Sequence, residues 1–228
     1  MSMEDKQVIK CPKCEQDGDF TVWHTLNVQL NPEMKESVLN GNIFKYKCNH
    51  CGKSFFVQYD FLYHDMKKNF MVYFSADEES QKAIKEEWGK LNSDDDSDVL
   101  ASMMRKMGAD YKHRIVSDIN SLSEKIRIFD CGLDDRIVEI IKIFTIANVK
   151  EQNANIEPEG ALFCSSDNGE KALGIVVDGD IKSFCSFDMN AYENMKKNWL
   201  SKIENASKGE FIIDFAWAFA FIQSVTNK

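Results

Sequence analysis

A chain of 228 residues with a net charge of −9 has room for one large domain or two modest ones, and 43% apolar residues are enough for a core. The acidic balance, with a pI near 5.0, argues against a protein built mainly to grip nucleic acid, because phosphate neutralisation needs clustered Lys and Arg. The acid is unevenly spread: residues 1–75 hold nine Lys against nine Asp and Glu, so the excess lies beyond them.

The opening MSMEDKQVIK has neither an apolar stretch nor a cleavage pattern and does not read as a secretory signal. Asp19–Leu30 alternates, with Phe20, Val22, His24, Leu26, Val28 and Leu30 on one face. That period predicts a half-buried strand, and it places His24 as a hydrogen-bonded core residue. Asn31-Pro32 predicts the cap and first position of a short helix carrying Met34, Val38 and Leu39 and ending at Gly41. Strands are predicted at Ile43–Lys47 and Ser54–Tyr59, and at Asn69–Phe74 after a turn at His64-Asp65. Glu78–Leu91 predicts a charged helix with Ile84, Trp88 and Leu91 on its apolar stripe.

Asn92–Asp98, the run NSDDDSD, reads as a solvated linker, since it lacks the glycine and twelfth-position Glu of a calcium loop. Met103, Met104 and Met107 fit a helix edge on the core. Farther on, Arg114–Ser117 predicts a short strand and Ser121-Leu-Ser-Glu124 has the form of a capping box. A helix from Asp134 to Asn148 is apolar almost all round and is expected at the centre of the core. Strands at Ala161–Ser165, Ala172–Val177 and Ile181–Phe187 are joined by hairpin turns at Asp167-Asn168-Gly169 and Asp178-Gly179-Asp180. A helix over Asn190–Asn205 and a strand-plus-helix from Phe211 complete the chain.

The expected fold class is α+β. It comprises an N-terminal zinc-ribbon-like antiparallel β domain with a short inserted helix (1–76), a helix and acidic linker (77–110), and a C-terminal α+β domain (111–228). The longest apolar run, Phe215–Ile222, is far short of the roughly 20 residues of a membrane span. Seven cysteines, three of them outside any pair, suit a reducing compartment better than a disulfide framework, so a cytoplasmic protein is expected.

Cys11-Pro-Lys-Cys14 and Cys48-Asn-His-Cys51 are two C-x-x-C knuckles. Two intervening residues let both sulfurs of a knuckle face one point, and zinc takes four such sulfurs in a tetrahedron. Pro12 pre-sets the first turn and Gly52 permits a left-handed position after the second, whereas the first has Glu15 where glycine would be usual. A redox dithiol needs only one pair, and a rubredoxin-like iron site would use the same sulfurs. The expectation is one structural Zn2+ on Cys11, Cys14, Cys48 and Cys51; four thiolates close the shell and leave no position for a catalytic water.

The runs IKCPKC, NVQLNPEMKESVLNG and FKYKCNHCGKSFFVQYDFLYHDMKKNFMVYF resemble the CpXC domain family, and the resemblance continues through HRIVSDINSLSEKIRIFDCGLDDRIVEIIK and DFAWAFAFI. It implies a bacterial or archaeal protein with Cys11, Cys14, Cys48 and Cys51 as metal ligands, and it supplies no activity.

Elsewhere the structural readings are favoured. His64-Asp65 reads as a turn rather than a general-base pair, and His50 as solvent-facing. Asp134, Asp135, Arg136 and Glu139 read as a capped helix start with a surface Arg136–Glu139 pair. Cys131, Cys164 and Cys185 lack metal spacing.

Three functions follow as expectations. The first is a non-catalytic binding or adaptor module with a protein partner. The second is an enzyme with an inter-domain polar site near Tyr63–Asp65 and Asp134–Glu139. The third is nucleic-acid contact through the ribbon.

Overall fold

Apolar alternation early in the chain and apolar helical stripes later on give two different kinds of core. The computed structural model describes residues 1–91, 111–153, 155–166 and 168–226; the expected linker over 92–98, Met103, Met104, Met107 and Asp167 lie outside the described residues. The chain divides into two compact units, Met1–Ser123 and Glu124–Lys228. The α+β class holds, with a sheet carrying the cysteines first and an α+β region after it.

The first unit holds β1 (Met3–Lys10), β2 (Asp17–Asn27), α1 (Lys35–Leu39), β3 (Lys45–Lys47), β4 (Ser54–Phe56), β5 (Phe61–Asp65), β6 (Phe70–Phe74), α2 (Glu78–Leu91) and β7 (Lys112–Val116). Its main sheet has the order β1-β2-β5-β6-β7, and β3 and β4 form a separate hairpin. The main sheet is mixed rather than antiparallel throughout. β1–β2 and β5–β6 pair antiparallel, while β2–β5 and β6–β7 pair parallel. The parallel pairs are those whose connections contain helices, α1 with the β3–β4 hairpin in one case and α2 in the other.

In β5 and β6 alternate residues are buried: Phe61, Tyr63 and Asp65 on one strand, Phe70, Val72 and Phe74 on the other. Phe44, just before β3, meets the rings of Phe61 and Phe74 at 5.6 and 5.2 Å, which fastens the hairpin to the sheet.

Several details depart from the sequence reading here. Phe61–Asp65 is a strand with Phe61, Tyr63 and Asp65 buried, where a turn at His64-Asp65 was expected. β1 was not foreseen, because MEDKQVIK is exposed along almost its whole length. His24 is exposed rather than in the core, and its ring nitrogen bonds the Asp5 carboxylate. The β1–β2 register slips between Met3↔Thr25 and Glu4↔Trp23, so His24 is the extra residue of a β-bulge and leaves the Phe20–Val22–Leu26 face.

α3 (Ile119–Asp130) spans the division. Its first turn is capped by Asp118, whose carboxylate accepts from Ser121 N at 2.9 Å, so the helix starts earlier than the expected capping box. Glu124 is thereby free to turn inward. The second unit then holds α4 (Asp135–Gln152), β8 (Gly160–Ser165), β9 (Lys171–Val177), β10 (Asp180–Ser186), α5 (Met189–Ala206) and α6 (Phe215–Thr226). The three strands form an antiparallel meander in the order β10-β9-β8, its last turn using positive φ at Asp178 and Gly179. α4 packs against α5, α6 and β8. No strand forms before α6; Phe211 and Ile213 are buried in irregular chain instead.

Candidate metal centre

Each C-x-x-C knuckle is the turn of a hairpin, the first joining β1 to β2 and the second joining β3 to β4. The two turns share one hydrogen-bond pattern. Glu15 N donates to Cys11 O at 2.9 Å, and Gly52 N donates to Cys48 O at 2.9 Å. Cys11 N donates to Gln16 O and Cys48 N to Lys53 O, which closes each loop. The pattern needs a left-handed residue one place after the second cysteine. Gly52 takes it at φ 71°, and Glu15 takes it at φ 57°.

The turns bring the four sulfurs together, all within 4.8 Å of one another. Across the two hairpins Cys11 Sγ lies 3.7 Å from Cys51 Sγ, and Cys14 Sγ lies 3.6 Å from Cys48 Sγ. A disulfide would bring a pair to about 2.05 Å, and all seven cysteines are free. Sulfurs at about 2.3 Å from a tetrahedral ion stand about 3.8 Å apart along each edge. The observed spacings therefore suit four thiolates around one ion.

The metal-free thiols hold their protons unequally. Cys48 is lowered to about 6, chiefly by the backbone N–H of Cys51 acting against burial, with the His50 N–H adding to it. Cys11 is also lowered; burial opposes its thiolate, but the N–H groups of Cys14 and Lys13 prevail. At Cys14 the Gln16 N–H favours the thiolate, yet burial and the three neighbouring sulfurs push it up to about 12. A divalent cation displaces such protons, so metal uptake at this cluster would be coupled to proton release.

An apolar wall backs the sulfurs. Phe20, Val22 and Tyr46 share a buried cluster with Cys11 and Cys48, and Ile9, Cys14, Cys51, Phe55, Val57 and Tyr59 pack against it. Tyr59 Oη donates to Ile43 O at 2.9 Å.

The other sequence candidates resolve separately. His50 is exposed beside the clustered cysteines. His64 and Asp65 are consecutive residues of β5, so their side chains leave the strand on opposite faces and do not form a couple. Asp65 is 3% exposed and accepts from Lys68 N at 2.9 Å and from Gln29 Nε2 at 2.7 Å, which secures the turn after β5. His64 Nε2 meets Tyr111 Oη at 3.2 Å. Tyr63 is buried with its ring stacked on Phe70 at 5.7 Å.

In the second unit Asp134 caps α4 by accepting from Arg136 N and also clamps the Arg136 guanidinium, 2.6 Å away. The expected Arg136–Glu139 surface pair does not form. Asp135 and Glu139 are buried and held by lysines, Lys125 Nζ at 3.3 and 2.8 Å and, for Glu139, Lys142 Nζ at 2.8 Å. Lys142 also pairs with Glu124 at 3.0 Å, and Glu124 accepts from Phe163 N. This buried five-residue ion network was missed in the sequence. The available signal was that Glu139 and Lys142 are three apart in DRIVEIIKIF with isoleucines on both sides, on a helix too apolar to keep a wet face.

Residues 9–142 match the family model described as CpXC protein, a stretch that takes in all four clustered cysteines and the whole ion network. No curated protein and no solved structure matches the chain.

Proposed function

The chain belongs to the CpXC protein family, and from that premise we propose that it is a zinc-binding protein whose one structural Zn2+, on Cys11, Cys14, Cys48 and Cys51, holds a non-catalytic binding or adaptor module in shape. The observation that carries the reading is the pair of cross-hairpin sulfur distances, 3.6 and 3.7 Å, close to the edge of a zinc–thiolate tetrahedron. With all four positions filled by sulfur such an ion has no site for substrate, which favours a fold-holding role. The ion would tie the turn of β1–β2 to the turn of β3–β4, whose side chains share one buried cluster. Seven free cysteines support a reducing, cytoplasmic setting, and among the described residues no helix is long and apolar enough to cross a membrane.

Elemental analysis of the purified protein tests the metal. One zinc per chain is expected, lost in Cys14→Ser together with ordered structure around the two hairpins. No metal, or iron with its visible thiolate absorption, would overturn the reading. The adaptor role is tested by crosslinking in lysate followed by affinity purification; a protein that stays monomeric and alone speaks against it.

One observation favours a second reading, contact with nucleic acid. On the β3–β4 hairpin Lys45 pairs with Phe56, which is 58% exposed, and Lys47 and Lys53 are exposed nearby. Stacking on an aromatic ring flanked by cations is how single strands are held. Absent or salt-independent binding to RNA and DNA would dismiss it.

A further inference from the structure

The wall behind the four sulfurs contains a polar atom with nothing to bond. Tyr46 is 4% exposed, and its hydroxyl has no hydrogen-bond partner. Desolvating a hydroxyl without a bond is unfavourable, and phenylalanine would keep the same ring contacts, with Phe20 at 6.1 Å and Phe55 at 5.2 Å.

The chain also makes room for that hydroxyl. Gly18 lies within β2, opposite Ile9, and a Cβ there would stand 1.9 Å from Tyr46 Oη. Gly18 is not one of the positive-φ glycines, so no backbone requirement explains it, and glycine inside a strand weakens the strand. Two choices that are each unfavourable alone make sense together if the hydroxyl has an acceptor in the working state.

The candidates are close by. Tyr46 and Cys48 lie two residues apart, both buried on the same side of the chain, and Cys11 belongs to the same cluster with Cys14 packed against it. Asp19, next to Gly18 in β2, offers the other candidate, a carboxylate. A thiol is a poor acceptor. A zinc-bound thiolate is a better one, because charge on the acceptor strengthens the bond, and four thiolates on one Zn2+ leave a net charge of about −2 to be dispersed.

Building on the zinc reading, we propose that Tyr46 is a positioning residue of the metal centre, its hydroxyl donating to the bound thiolates, first to Cys48, with Gly18 as the gap that admits it. Donors behind metal ligands orient them and temper their charge, and losing one weakens metal affinity by about 10–100-fold.

The test uses the full chain loaded with Zn2+ or with Co2+ as a spectroscopic substitute. Tyr46→Phe should still bind one metal per chain, about 10–100-fold more weakly. Its cobalt–thiolate charge-transfer band should move to longer wavelength, because the sulfur becomes a stronger electron donor. A packing role alone would leave that band in place. Gly18→Ala should reproduce the band shift while keeping the hydroxyl, and the double variant should be no worse than Tyr46→Phe. Asp19→Asn should leave the band unchanged; if it reproduces the shift, the carboxylate is the acceptor and the proposal fails. If Tyr46→Phe does not fold, Gly18→Ala alone decides, and an unshifted band overturns the proposal. Wild-type protein that binds no metal would instead sink the zinc reading beneath it, whereas unaltered affinity and spectrum in metal-loaded Tyr46→Phe would sink only the role of Tyr46.

Discussion

The Lys142 ammonium stands between two buried carboxylates, 3.0 Å from Glu124 and 2.8 Å from Glu139. Removing one partner of a buried pair strands the others without water, so Lys142→Met should destabilise the second unit by about 3–5 kcal/mol, read by urea denaturation at pH 7.

The two carboxylates should respond differently. Burial acts against ionisation of both, but Lys125 and Lys142 bring Glu139 below its ordinary range, whereas burial and the neighbouring Glu139 charge leave Glu124 raised. A lowered carboxylate stabilises the fold above its unfolded pKa, near 4.3, and that contribution is lost as pH falls through the folded value. A raised one contributes below 4.3 and loses its contribution as pH climbs through the folded value. At pH 7, therefore, Glu139→Gln should cost more than Glu124→Gln, and equal losses in denaturation curves would contradict the assignment.

The left-handed residues of the knuckles make a matched pair. Glu15 at φ 57° bears a strain that Gly52 at φ 71° avoids. Glu15→Gly should stabilise the protein by about 1 kcal/mol and Gly52→Ala should destabilise it by about the same. A Cβ at Gly52 meets nothing within 4 Å, so backbone strain is the only cost there. Thermal melts of the two variants check both signs.

Metal uptake should strengthen as pH rises. With Cys48 at about 6 and Cys14 at about 12, the free cluster at pH 7 is partly protonated, and those protons compete with the ion. Zinc titrations against a chromophoric chelator between pH 6 and 8.5 should show affinity climbing throughout. A flat profile would mean the thiols are already ionised.

His64 and His113 give the first unit an acid sensitivity of its own. Burial lowers both imidazoles, and His113 lies against the Trp88 ring at 4.8 Å. A lowered histidine leaves stability intact above its unfolded pKa of about 6.5, and stability declines as pH falls from there through the folded value. His113→Gln should lessen the loss of urea midpoint between pH 7.5 and 5.5; an identical loss in wild type and variant would exclude the residue.

How much of this was visible in the sequence depended on whether local pattern and environment agreed. The four cysteines were legible because C-x-x-C spacing turns both sulfurs of a knuckle to one side and two such knuckles can share one point, and β6, β9 and α4 because their apolar residues match their burial. β1 was not, since an exposed edge strand needs no apolar alternation. His24 was misplaced because a bulge resets the period of two. Glu124, Lys125 and Lys142 were hidden because a charge on a helix is ordinarily a wet one, and only their mutual pairing across α3 and α4 makes burial tolerable.

The parallel pairing of β7 with β6 also sets an order of assembly. As the chain leaves the ribosome, β1 to β6 are complete well before Lys112–Val116 arrives. Until then the outer backbone groups of β6, between the buried Phe70, Val72 and Phe74, have no neighbour in the sheet. A bare strand of that kind invites pairing with other chains. An N-terminal fragment meant to stand alone should therefore extend at least to Val116; one cut after Leu91 would keep all four clustered cysteines and still expose an aggregation-prone edge.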